Sequence, residues 1–148
     1  MIAYYFSIEI FGTELLIDEI LKILGNKIKI DSIIHPNDKN PKRDEKYGFG
    51  RISLSHPKVY IADDELVDYL SWLSDFIKEY FDIFYTLGME EVWFYTNIHY
   101  SNSYLSLDLF DSDIFKQIAS YKISISIPMD IHKVTEQEII EMLRNRPY

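Results

Sequence analysis

The chain has 148 residues, no cysteine and a formal net charge of −9, and 47% of its residues are hydrophobic. Length and apolar content suit one α+β domain over residues 1–148 with a real core, and the absence of cysteine excludes disulfides and thiolate metal sites and fits a cytoplasmic protein. The negative charge argues against nucleic acid as a partner, and no apolar run approaches the roughly 20 residues that a membrane-crossing helix needs.

Residues 3–11 alternate, with Tyr4, Phe6, Ile8 and Ile10 on one side and Tyr5, Ser7, Glu9 and Phe11 on the other. Period two predicts a first strand. The opening MIAYYFSIEIFG lacks a basic leader and carries Glu9, so it reads as strand rather than signal peptide. Gly12 turns the chain, Thr13 is suited to cap a short helix through Leu24, and Gly25-Asn26 ends it. Lys27 to Ile34 alternates again as a second strand. Residues 35–48, with Pro36, Pro41, two asparagines and mixed charge, predict a mobile surface loop. Gly50 to Ser55 predicts a third strand, stopped by His56-Pro57.

From Asp64 to Leu87 one long helix is predicted, capped by Asp63 or Asp64 and closed by Leu87-Gly88. At roughly 100° per residue, Leu66, Leu70, Leu73, Ile77, Tyr80, Phe81 and Phe84 share a face. Asp64, Asp68, Asp75, Glu79 and Asp82 fall opposite, within about 60° of one another, with Trp72 near the rim. Between residues 63 and 91 nine acids face the single base Lys78, whereas residues 27–51 carry a basic excess. This polarity would steer a basic partner and repel nucleic acid.

Glu91 to Ser101 predicts a fourth strand, Ser101-Asn102-Ser103 a turn, and Tyr104 to Phe110 a fifth. A helix capped by Asp111 or Ser112 then runs to Tyr121. Lys122 to Met129 predicts a sixth strand, which Pro128 marks as an edge or an end. Thr135-Glu136-Gln137-Glu138 is a capping box for a last helix to about Arg144. Ser7-Ile8-Glu9-Ile10-Phe11 matches Ser106-Leu107-Asp108-Leu109-Phe110 in chemistry at every position, and each is followed by a helix and a strand, KIKI or KISI. A duplicated β-α-β unit follows from this. The alternation predicts a two-layer sandwich: a mainly antiparallel sheet of about six strands, with helices on one face.

The other sheet face would show Trp93, Tyr95, Asn97, His99 and Tyr104. Aromatic and polar groups together suit a protein partner or a small ligand, with His99 the one group fitted to acid–base work. The ribonucleoprotein signature of RNA-binding sheets is absent. The four histidines show no ligand spacing, so no metal is expected; Glu9 and Asp108 are equivalent in the repeat, but sheet-face acids are ordinary. No nucleophile setting, phosphate-binding glycine loop or cofactor motif occurs, so no catalytic residue is assigned.

The strand ending in Phe11-Gly12, the helix ending in Leu24-Gly25, the strand leading into His35-Pro36 and the long helix before a second β-α-β copy resemble a bacterial domain family of unknown function, the 4279 series, over about residues 3–131. That family offers no catalytic residues to carry over. By analogy with small acidic immunity proteins, the resemblance implies a non-enzymatic inhibitor of a basic bacterial toxin, such as a nuclease. Its binding surface would be Asp68, Trp72, Asp75, Glu79 and Asp82; the alternative is a small-ligand-binding or enzymatic domain that uses the mixed sheet face with Trp93, Tyr95 and His99. Nothing in the sequence sets the oligomeric state.

Overall fold

The computed structural model describes residues 1–102, 110 and 112–146. In chain order these form β1 (Ile2–Gly12), α1 (Ile17–Leu24), β2 (Lys29–Ile34), β3 (Gly50–Ser55), β4 (Ile61–Ala62), a 3-10 turn (Asp63–Glu65), α2 (Leu66–Thr86), β5 (Glu91–Tyr100), α3 (Ser112–Ile118), β6 (Ser124–Ser126), β7 (Met129–Lys133) and α4 (Glu136–Arg144). The fold is α+β, built on an open mixed sheet of seven strands.

The axis of the sheet is the antiparallel pair β1–β5, matched from Ile2↔Tyr100 to Phe11↔Glu91. Tyr4, Phe6, Ile8 and Ile10 of β1 are buried with Val92, Phe94, Thr96 and Ile98 of β5, as period two requires. Each side of this axis is flanked by a line of strand broken at a proline, which cannot donate to a ladder. On one side β3 and β4 pair antiparallel with β1, interrupted around Pro57, and β2 closes the edge against β3. On the other, β6 and β7 run parallel to β5 and keep one register across Pro128, whose carbonyl accepts from the Thr96 N–H at 3.0 Å. The expected sixth strand is therefore two short ones, and the sheet is mixed but mainly antiparallel, its parallel pairings being those of β6 and β7 with β5.

α2 is anchored by Tyr69, Leu73, Phe76, Ile77, Tyr80, Phe81 and Phe84, all buried. Burial of each large apolar side chain contributes about 1.5–3 kcal/mol. The buried face is turned slightly from the expected one, because Tyr69 stacks on Phe6 with ring centroids 3.6 Å apart while Leu66 and Leu70 sit only half-buried. α1 contributes Ile17, Ile20 and Leu24 to the same core, and α3 contributes Ile114 and Ile118. Gln117 of α3 donates to Ser74 of α2 at 3.2 Å.

Several local expectations change. α1 begins at Ile17 rather than after Thr13, because Thr13 donates its hydroxyl to Glu90 at 2.6 Å. The long helix opens with the 3-10 turn, where Glu65 Oε2 accepts from the Ala62 N–H at 2.9 Å and Asp63 accepts from the Tyr4 hydroxyl at 3.1 Å. Segment 35–48 is folded on itself by a Lys39↔Lys46 bridge and an Asn40 N–H to Glu45 carbonyl bond of 2.9 Å. α4 keeps its predicted capping box, Thr135 with Glu138. It does not join the other helices, however. Its buried Ile139 lies outside the main core, Glu138 faces His99, and Arg146 beyond its end bonds to the Tyr60 carbonyl at 3.1 Å. Helices thus occupy both sheet faces, α4 covering the end that holds Ala3 and His99. The predicted strand at 104–110, with Tyr104 and Asp108, which opens the second repeat copy, falls outside the described residues apart from Phe110, as does Asp111.

Candidate functional site

The two surfaces expected to carry function lie on opposite sides of the sheet. On the outer face of α2, Asp68, Asp75, Glu79 and Asp82 are all exposed, as spacings of three, four and seven on one helix require. Glu79 lies 3.8 Å from Lys27, and Asp82 accepts the Tyr121 hydroxyl at 2.7 Å. That hydrogen bond is the main cause of the Tyr121 hydroxyl being pushed up to about 12. Asp68 and Asp75 have no ion pair among the described residues. Trp72 is half-buried at the rim, stacked on Phe76 at 5.7 Å and edge-on to His56 at 4.9 Å. With Asp75, Glu79, Tyr80 and Lys27 it borders a shallow cleft of about 180 Å³.

On the opposite face, β5 presents Trp93, Tyr95 and His99 at intervals of two and four, but the structure gives each a different neighbourhood. His99 stacks on His132 at 5.1 Å and meets Tyr60 edge-on at 5.7 Å. Its Nδ1 is buried with no hydrogen-bond partner among the described residues, and burial lowers its basicity, aided by His132. Tyr95 donates to Asp130 of β7. Trp93 lies six positions from His99, about 20 Å along a strand, so the two do not form one surface. Between them the face is a polar mat. Tyr5 and Ser55 donate to Asp31 at 3.2 and 3.1 Å, and Arg51 reaches Ser32 at 3.1 Å and Glu9 at 3.8 Å. Burial above all, then Asp31, pushes the Tyr5 hydroxyl up to about 12.

The histidines divide the same way. His56 packs on Tyr69 and Trp72 beneath the sheet, so it cannot share a site with His99. Among the described residues no three His, Cys, Asp or Glu side chains are placed to hold a metal ion, and no helix is long and apolar enough to cross a membrane.

Trp93 belongs instead to a cleft of about 460 Å³ at the far end of the open face, shared with Phe11, Phe49, Glu90 and Glu91. The sequence singled out Trp93 but not its companions. Phe11 and Phe49 come from two other places in the chain, and only the β1–β3–β5 register brings them together. The alternation that put Phe11 and Trp93 on one face was the available signal.

No family model matches the chain, and neither a characterised protein nor a solved structure matches it.

Proposed function

We propose that this protein is a non-enzymatic binding protein that neutralises a basic bacterial toxin through the outer face of α2. The observation that supports this reading is the row Asp68, Asp75, Glu79 and Asp82, exposed on a helix whose inner face is held by seven buried side chains. A row so anchored can meet a cationic surface without being reordered first, which spares the association its ordering cost. Four carboxylates spaced along one edge present a charge pattern that a nuclease's substrate cleft, built for phosphates, would accept. Trp72 at the rim supplies the aromatic contact on which such interfaces concentrate their energy. In this reading the protein acts in the cytoplasm, uses no cofactor and carries no catalytic residue.

The test is protection. The product of the gene immediately upstream, expressed alone, should arrest growth, and co-expression of this protein should relieve the arrest. The Asp75→Lys, Glu79→Lys, Asp82→Lys triple variant should accumulate in folded form and fail to protect. Protection by the triple variant would reject the α2 surface.

A further inference from the structure

We propose that the cleft around Trp93 is a binding site for a small organic cation, a free alkylated ammonium compound, separate from the α2 surface. Three aromatic rings form its walls. Phe11 of β1 and Trp93 of β5 are diagonal neighbours on the open face, with ring centroids 5.0 Å apart. Phe49, immediately before β3, lies 6.0 Å from Phe11 and is braced edge-on by Tyr47 at 5.7 Å. Ring faces attract a cation through their quadrupoles, and several rings around one site select an alkylated ammonium, which is weakly hydrated and fits flush against them.

Two carboxylates complete the site. Glu91 accepts from the Trp93 indole N–H at 2.6 Å, and Glu90 accepts from the Thr13 hydroxyl at 2.6 Å and the Thr13 N–H at 3.1 Å. These bonds fix the carboxylates without neutralising them, and neither has an ion pair among the described residues. Arg51, opposite Phe11 across the strands, is already turned to Glu9 at 3.8 Å and Ser32 at 3.1 Å. An electronegative rim over aromatic walls thus awaits a positive charge. Gly12 and Ser124 add little bulk, leaving about 460 Å³, within the range of small-molecule clefts. The site opens on the face opposite α2, whose Phe81 packs on Phe94 from below, so a protein covering the acidic row would not reach it. The free compound is therefore the occupant, rather than a side chain of that partner.

Trp93 offers its own readout, because its indole N–H is hydrogen-bonded to Glu91 inside the site. The experiment is a titration of the isotope-labelled protein with choline, following the two indole N–H resonances. The expected result is a saturable shift of Trp93 with Trp72 unmoved. Binding should weaken roughly tenfold in Phe49→Leu and severalfold in Glu91→Gln, whose amide oxygen still accepts from the indole, and roughly tenfold in Trp93→Leu, where the reporter is lost and binding is followed by calorimetry. The neutral carbon isostere of choline should not bind. Equal binding of choline and its isostere would overturn the proposal, as would no saturation at millimolar choline. Tighter binding of a short arginine peptide than of choline would assign the cleft to a protein side chain and overturn the free ligand.

Discussion

Arg146, just past the end of α4, holds Glu65 at the start of α2 through its two terminal guanidinium nitrogens, Nη2 at 3.0 Å. The same carboxylate accepts from Lys58 at 2.8 Å and from the Ala62 N–H at 2.9 Å. One partly buried side chain therefore ties α4, the segment before β4 and the first turn of the long helix together. Without it the last helix would have little to hold it, since Ile139 is its single fully buried residue.

Acid should loosen this tie. Hydrogen bonding to Arg146, ahead of that to Lys58 and Ala62, lowers the Glu65 carboxyl to about 2. An unfolded glutamate titrates near 4.3, so the folded form binds protons less readily and the stabilisation is complete above about pH 5. It is lost as pH falls toward 2. Glu65→Gln should cost about 1–3 kcal/mol in urea unfolding at pH 6, and the gap to the unaltered protein should close at pH 2–3.

His56 should add a second, milder sensitivity. It is 9% exposed, and burial lowers its basicity. A histidine less basic when folded than when unfolded stabilises fully above the unfolded value of about 6.5, and that contribution falls as pH drops below it. An NMR titration should give His56 a midpoint below 6.5. His56→Gln should flatten the decline in stability between pH 7 and pH 5.5.

The turn after α2 admits no side chain. Gly88 has φ +94°, and a Cβ there would lie 2.7 Å from the Glu14 carbonyl oxygen. Its own carbonyl sits where a Cβ on Gly12 would be, 2.0 Å away. Gly88→Ala and Gly12→Ala should each destabilise by about 2–4 kcal/mol, seen as a lowered thermal midpoint.

Periodic elements were legible in the sequence because they depend on their own residues. The Tyr4–Ile10 alternation, the Leu73–Phe84 face and the Thr135–Glu138 capping box each appear where the pattern put them. What depends on distant partners was not legible. β4 is two residues long and exists only by pairing with Ala3 and Tyr4. The parallel register of β6 and β7 is set by β5, not by KISISIPM itself. α4 carries a fair amphipathic pattern, but nothing in it says which sheet face it will cover. The surfaces divide likewise. The acids of α2 could be read off a wheel, whereas the cleft gathers Phe11, Phe49 and Trp93 from three parts of the chain.

Exposed ion pairs contribute about 0–1 kcal/mol each, so reversing charge on the outer face of α2 should leave folding nearly intact. The losses include the Glu79–Lys27 pair, the Tyr80 hydroxyl bond to Glu79 and the Tyr121 bond to Asp82. The same change should act strongly on association, which depends on summed charge and is screened beyond about 8 Å at physiological ionic strength. The most direct measurement is the association rate between this protein and the product of the upstream gene at low and at physiological salt, for the unaltered protein and for the Asp75→Lys, Glu79→Lys, Asp82→Lys variant. Fast association that slows as salt rises is expected, with a variant slower by at least about tenfold whose salt dependence is abolished or reversed. A variant that associates as fast as the unaltered protein, with the same salt dependence, would contradict that expectation.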